Sequence, residues 1–501
     1  MEKKLNSKYY VPLILLIVSF LILMLCSKNS FLYVFNDWVD GNAFFTMGKG
    51  MFNGKVPYKD LFEQKGPLLY FIYGIGYLLS NDTFTGVFIL EVISLTVFSY
   101  FVYLTANRFI KSIYACFTSI LTSSIIAGST AFVQGGSAEE FCLPFLAISI
   151  YTLFELKYNY KLDKKYLYIN GFIAGCVALI KFNLLGFWFV WMAMYFFKLV
   201  YSKTIKGAFI SCIRFLVGMI IPVLISLIYF GMNNAIKDFF NVYIVFNVTA
   251  YSTDLSLKQR VINMFLAFFQ QFTTNRTVAL LLLISFLYLV KHKEHGDRWY
   301  NITLLLSFVL LLVGVYSGGL PYLYYFLCFE CYIIFAFIYI FCVLDRYMNY
   351  HKFNIFLSCS VLFVSGYFLL KSPNLDSIKL SKDTYAQFVF KDIIQHSKSR
   401  TLLNYDNLDG GFYTTCDIVP NVRYFMRQNV GYDRYPYILD GQNNAIKNKE
   451  IEFVIIREYN ANRGYRQFIP FLNLNYEEIM HKNQKYEGMD FTYYLYRVKR
   501  G

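Results

Sequence analysis

Apolar runs of about 17 to 25 residues, the length that crosses a bilayer, recur along most of this chain. They lie at 9–27, 84–105, 112–131, 138–156, 208–230, 299–316, 321–343 and 353–371. The longer run 166–200 has room for two helices broken around Lys181, Phe182 and Asn183, and a shorter span fits 277–291. In hydrocarbon every backbone polar group must be satisfied within its own segment, so such runs are helices. Only 16% of residues are charged, against about 25% in a soluble globular chain. The expectation is a mainly α, polytopic membrane protein: a bundle of about eleven transmembrane helices, with charged sequence confined between and after them.

The net charge of +15 is carried by short basic clusters between apolar runs, which is a signature of topology. No basic groove or nucleic-acid motif accompanies it, so nucleic acid is excluded as a partner. The ten cysteines sit almost wholly inside apolar spans and form no disulfide framework. Cys328 and Cys331 make a C-x-x-C, but within an apolar run, where they read as small buried hydrophobes. His292 and His295 fall in a predicted cytoplasmic loop and suggest no metal site. The N-terminal run lacks a small-residue cleavage site and reads as an uncleaved first span.

Loop charge then sets orientation. The run 66–80 is short and interrupted by Gly74 and Gly76. Lying along the outer surface, it leaves Lys3, Lys4, Lys8, Arg108, Lys111, Lys157, Lys161 and later basic clusters on the cytoplasmic side. The N-terminus is then inside and the C-terminus outside. Residues 28–83, the loop 134–140 and the loop 231–276 share the outer face. Residues 1–371 form the membrane domain. From 372 to 501 charged residues become frequent, and DTYAQFVFKDIIQHS, RTLLNY, IEFVIIR and FTYYLYRVK alternate helix-like and strand-like pieces. This predicts an extracytoplasmic α/β domain.

The segment 37–70 after the first span is too charged for hydrocarbon and too aromatic for a plain linker. It carries Asp37, Asp40, Asp60 and Glu63 among Lys49, Lys55, Lys65, Pro57 and Pro67. It reads D-x-x-x-F over Asp40–Phe44, then Gly48 to Gly54, Lys55, Pro57, Tyr58, Asp60, Phe62, Lys65, Gly66, Pro67 and Leu68. This pattern resembles bacterial members of the GT-C superfamily of integral membrane glycosyltransferases, relatives of the protein mannosyltransferases and aminoarabinose transferases. The resemblance implies transfer of a hexosyl or pentosyl group from a polyprenyl-phosphate donor, with inversion, to an envelope glycan, lipid or protein.

Such a reaction needs a carboxylate to take the acceptor's proton and a cation for the phosphate leaving group. The resemblance assigns Asp40 as base and Glu139 or Glu140 as second site acid. Lys65, beside the Gly-Pro turn, is placed to hold a lipid phosphate, with Tyr58 and Asp60 near it in sequence. Lys181 and Asn183 interrupt an apolar run, and a cation there is a phosphate contact by default. Tyr324 and Tyr325 stand where relatives carry a His-Tyr pair, whose histidine is missing here. Phe246, Asn247 and Tyr251 match a family pattern weakly. Bland alternatives stand beside these roles. Asp37 solvates the loop, Asp60 caps a helix, Lys65 snorkels to headgroups, and the tyrosines form an interfacial belt. Ser137 with Glu140 also makes a capping box.

No nucleotide motif is present. A divalent metal on carboxylates such as Asp40 and Glu139 is the one open cofactor, since members of the superfamily differ on that point. The rival function is a transporter or flippase of lipid-linked glycans, with Glu91 and Glu330 as coupling groups. A bacterial cytoplasmic membrane is the expected location.

Overall fold

The computed structural model describes residues 2–250, 255–291, 298–347, 351–461, 464–486 and 488–500, excepting the side chains of 2–9, 347 and 351–354. Tyr251, His292 and His295 therefore lie outside the described residues. The chain is mainly helical and multi-pass. Among the described residues, five helical runs are long and apolar enough to cross a membrane, or seven when each of two bent pairs counts as one span. The shorter apolar helices Tyr10–Cys26 and Ser112–Gly128 fall outside that criterion. One of the five, Lys164–Tyr201, is two helices: Lys164–Lys181 and Gly186–Tyr201, joined by the 3-10 turn Phe182–Leu185. The Tyr195 hydroxyl, late in the second helix, donates to Asp163 just before the first at 3.0 Å. The run folds back on itself, as its polar interruption predicted.

Lipid exposure is written on helix Ile205–Met232. Phe209, Ile213, Leu216, Ile220, Leu224 and Ile228 recur every three or four residues and are all exposed. An apolar stripe of this length would associate or aggregate in water; against hydrocarbon it needs no partner.

The chain divides into two compact units. The first holds residues 1–27, 90–226 and 254–375; the second holds 28–89, 227–253 and 376–501. Within the second, helices Val39–Phe52 and Pro67–Leu79 pack closely where Gly48 meets Gly74. A Cβ at Gly48 would stand 2.5 Å from the Gly74 amide nitrogen, so only glycine permits this approach. At about 1.5 Å per residue, the thirteen residues of Pro67–Leu79 are too short to cross a bilayer upright.

Four strands follow in the same unit: β1 (Leu402–Asn404), β2 (Phe453–Tyr459), β3 (Tyr476–Tyr486) and β4 (Met489–Val498). Their order is β1-β2-β4-β3, with β1 parallel to β2 and the other pairs antiparallel. β1, β2 and β4 and the helix Ala386–Gln395 lie where alternation predicted them; β3 was not foreseen. Ile446 from helix Tyr437–Lys447 packs with Leu403, Val454, Ile456 and Tyr494 to make the core of this region.

Helix Val39–Phe52 is bound into the unit by polar side chains. Lys49, wholly buried, donates to Asp417 at 2.8 Å and to the Tyr413 carbonyl at 3.0 Å. Thr46 donates to Asp409 at 2.6 Å. Burial pushes the Asp409 carboxyl up to about 6, against hydrogen bonds from Thr46, Gly411 and Asn404 and the nearby Lys49 charge. The folded state thus binds a proton more tightly than the unfolded chain. Its contribution is greatest below about pH 4 and is lost as pH rises through about 6, a span worth about 3 kcal/mol. Asp409→Asn is expected to flatten the melting temperature against pH between 4 and 6.5. An unchanged slope would assign that pH dependence to other groups.

Candidate active site

The sequence-derived site residues fall in both units. Asp40, Tyr58, Asp60 and Lys65 belong to the second, and Glu139, Glu140, Lys181, Asn183, Tyr324 and Tyr325 to the first.

In the second unit, Asn36 accepts the Trp38 amide at 3.0 Å and Asn42 reaches back to the Trp38 carbonyl at 2.9 Å, fixing where the helix begins. Asp40 is half-buried in its first turn, where a carboxylate meets the positive end of the helix dipole. Phe44 lies one turn further along, and the Lys65 ammonium stands 5.6 Å from the centre of its ring. The backbone of Lys65 is held from both sides. Its amide donates to the buried Glu63 carboxylate at 2.8 Å, and its carbonyl accepts the buried Tyr58 hydroxyl at 2.6 Å. Tyr70 also donates to Glu63. Asn247 binds the Gln64 carbonyl at 2.8 Å.

Tyr58 itself sits at φ +70°, a left-handed conformation that costs a bulky residue energy. Rings of Tyr70, Phe230, Phe239 and Tyr243 surround it, and Arg423 donates to its carbonyl at 2.9 Å. Burial raises its hydroxyl well above the usual tyrosine range, so it stays a donor. Tyr58→Phe is expected to leave the Lys65 carbonyl unpaired and to cost about 1 kcal/mol, read by denaturation. No loss would mean that the bond contributes nothing net.

Two local acids have structural partners. Asp60 accepts the Val56 amide at 2.7 Å, closing its own turn rather than capping a later helix. Asp37 pairs with Lys28 at 2.8 Å, so it is more than a solvated loop acid.

In the first unit, Lys181 and Glu139 are a buried ion pair. The Lys181 ammonium stands 3.9 Å from the centre of the Tyr325 ring and 5.5 Å from that of Tyr324. One Glu139 oxygen, Oε2, is buried without a hydrogen-bond partner. Asn183 lies on the 3-10 turn after Lys181, and its Oδ1 is likewise buried and unpartnered.

Glu140 is engaged differently. Its amide donates to the Ser137 hydroxyl at 3.0 Å, and its carboxylate accepts the Gly136 amide at 2.7 Å. The capping geometry read from the sequence is present, with the reciprocal bond displaced by one residue. The Glu91 carboxyl is its hydrogen-bond neighbour, and the Ser27 hydroxyl lies 3.0 Å from each Glu91 oxygen. Gly135, at φ +91°, closes over this group; a Cβ there would stand 2.3 Å from the Ser27 oxygen. Among the described residues, no three His, Cys, Asp or Glu side chains gather as metal ligands would.

Sequence reasoning singled out Lys65 and Lys181, but it missed most of what holds them. Asn247 was picked by a weak pattern that gave no hint of its bond to Gln64. Nothing local in the sequence marks Glu63 as a buried acid.

Comparison with known proteins agrees with this architecture. Residues 64–230 match the family model described as dolichyl-phosphate-mannose-protein mannosyltransferase, a segment that includes Lys65, Glu139, Glu140, Lys181 and Asn183 but not Asp40. No curated protein gives a significant sequence match. Among solved structures, the chain resembles ArnT from Cupriavidus metallidurans in the apo state, with a TM-score of 0.59. The same protein bound to undecaprenyl phosphate matches with a TM-score of 0.55. Each match is 10% identical and covers 98% of both chains. The chain thus shares the fold of ArnT, and the resemblance drawn from the sequence agrees with it at the level of fold.

Proposed function

We propose that this protein moves a hexosyl or pentosyl group from a polyprenyl-phosphate donor to a glycan, lipid or protein of the cell envelope. The site is at the outer face of a bacterial cytoplasmic membrane, with the N-terminus inside and residues 372–501 outside. One displacement accounts for the reaction. The acceptor oxygen attacks the anomeric carbon as the carbon–oxygen bond to phosphate breaks, and its proton passes to Asp40. Polyprenyl phosphate leaves carrying the bonding pair, and inversion follows from attack opposite the leaving group.

The observation that carries this reading is the double backbone clamp on Lys65. Glu63 and Tyr58 fix the backbone from which the Lys65 side chain extends, and its ammonium stands over the Phe44 ring, so the cation is anchored at a set place for developing phosphate charge. Asp40 heads the helix that carries Phe44, the ring under that cation. Within the second unit Lys65 is taken as a phosphate contact, with Tyr58 and Asp60 as donor-binding residues; within the first, Lys181 is taken as a phosphate contact, with Asn183, Tyr324 and Tyr325 as donor-binding residues. Glu139 or Glu140 is the second acid.

The test is release of free polyprenyl phosphate from a panel of polyprenyl-phosphate sugars, using purified protein and crude envelope acceptor. Acceptor-dependent release from one donor is expected. Release from none, by folded protein, would end this proposal.

A further inference from the structure

One neighbourhood of the first unit leaves seven buried side-chain atoms without a hydrogen-bond partner. They are Ser129 Oγ, both Gln271 amide atoms, Asn275 Nδ2, the Tyr316 hydroxyl and both Glu330 oxygens. All five residues are more than nine-tenths buried.

These residues are linked. Asn275 Oδ1 lies 2.8 Å from the Thr130 hydroxyl, and the preceding residue, Ser129, faces the Glu330 carboxyl without forming a hydrogen bond of full geometry. Gln271 is one turn before Asn275 and accepts its amide at 2.8 Å. Phe268, nearly one turn earlier, packs 5.5 Å from Phe329 and 6.0 Å from Tyr316, centre to centre. Tyr316 in turn packs 5.8 Å from Tyr325, the ring against which Lys181 rests. The cluster is therefore continuous with the Lys181–Glu139 pair.

Leaving so many polar atoms unpaired is costly, at about 1–3 kcal/mol each, and native interiors avoid it. Such a cluster suits a polar occupant, water or a ligand that displaces it, and the atom types limit which ligand fits. A phosphate would meet the Glu330 carboxyl. A bare cation would leave the two amide NH2 groups with nothing to accept their hydrogens. A ring bearing several hydroxyls, each both donor and acceptor, satisfies amides, hydroxyls and carboxyl together.

We infer that Ser129, Gln271, Asn275, Tyr316 and Glu330 form the subsite for the hydroxyl groups of the lipid-linked sugar. This rests on the transfer reaction proposed above and extends it, making Glu330 a sugar-recognition residue rather than an ion-coupling one. The atoms are sealed from solvent in this conformation, so entry of the sugar requires the surrounding packing to open.

The test compares binding of two kinds of probe to full-length protein in nanodiscs. One is unglycosylated undecaprenyl phosphate; the other is undecaprenyl phosphate bearing each of a panel of hexoses and pentoses. Wild type should bind one glycosylated probe at least tenfold more tightly than the bare lipid phosphate. Glu330→Gln, which keeps the shape, and Ser129→Ala should each remove most of that preference, with bare-lipid affinity unchanged within about twofold. A wild type with no preference for any sugar would leave only water in the cluster and overturn the inference. Equal weakening of both probes, or of neither, by both variants would also overturn it. Because binding is read without turnover, failure of transfer would sink the proposed reaction and leave this comparison intact.

Discussion

Replacing Asp40 with Asn is expected to slow sugar transfer by about 10²–10⁴-fold, the usual worth of a general base, while leaving folding and donor binding intact. The separation is possible because of where the residue sits. Asp40 lies in the first turn of Val39–Phe52, just inside the Trp38 cap, so Asn there keeps the side-chain size and loses the proton-accepting charge together with its attraction to the helix dipole, about 0.3–1 kcal/mol. Single-turnover release of polyprenyl phosphate would be measured beside thermal unfolding. Activity within threefold of wild type would remove Asp40 from the chemistry. A large drop in melting temperature would instead make it a structural acid.

The second large effect concerns Lys181. Its ammonium and the Glu139 carboxylate are buried together, so each makes the other tolerable. Lys181→Met strands a carboxylate, and removing one partner of a buried pair typically costs about 3–5 kcal/mol. Adding Glu139→Gln to that variant should restore most of the lost stability, because the uncompensated charge is gone. Transfer should stay lost in the double variant, since neither the phosphate contact nor the acid has returned. The comparison divides structure from function cleanly. Recovered activity in the double variant would mean that the pair serves only the fold. A double variant no more stable than Lys181→Met alone would mean that the two charges are not coupled.

What was legible in the sequence was what is local. The break at Lys181–Asn183 could be read because a cation and an amide interrupt an apolar run. The Ser137–Glu140 cap could be read because its partners are three residues apart. β2 and β4 announced themselves through apolar and aromatic density. β3, with the sequence YEEIMHKNQKY, did not, because it is an edge strand whose side chains are largely solvated. Its place is fixed by pairing with β4 rather than by its own composition. Tyr325 reads from the sequence as a site candidate with an interfacial belt as the alternative; its burial and its contact with the Lys181 ammonium depend on packing that its neighbours in sequence do not encode. The supports of Lys65 were illegible for a different reason. Asn247 reaches Gln64 across a long stretch of chain, and no period or motif encodes a meeting of that kind.

The second unit draws on three separated stretches, 28–89, 227–253 and 376–501, and this has a consequence for how the protein is made. Lys49 finds Asp417, and Thr46 finds Asp409, only after the end of the chain has been synthesised. At about 5–20 residues per second, residues 28–89 wait roughly 15–60 seconds from their own synthesis until residue 376 appears, and for that interval Lys49 and Thr46 lack these partners. A ribosome that stops before the last stretch leaves an inserted bundle with a charged loop that cannot close, a ready substrate for surveillance proteases. Synthesis of residues 376–501 is thus the step that lets helix Val39–Phe52 be bound into its unit.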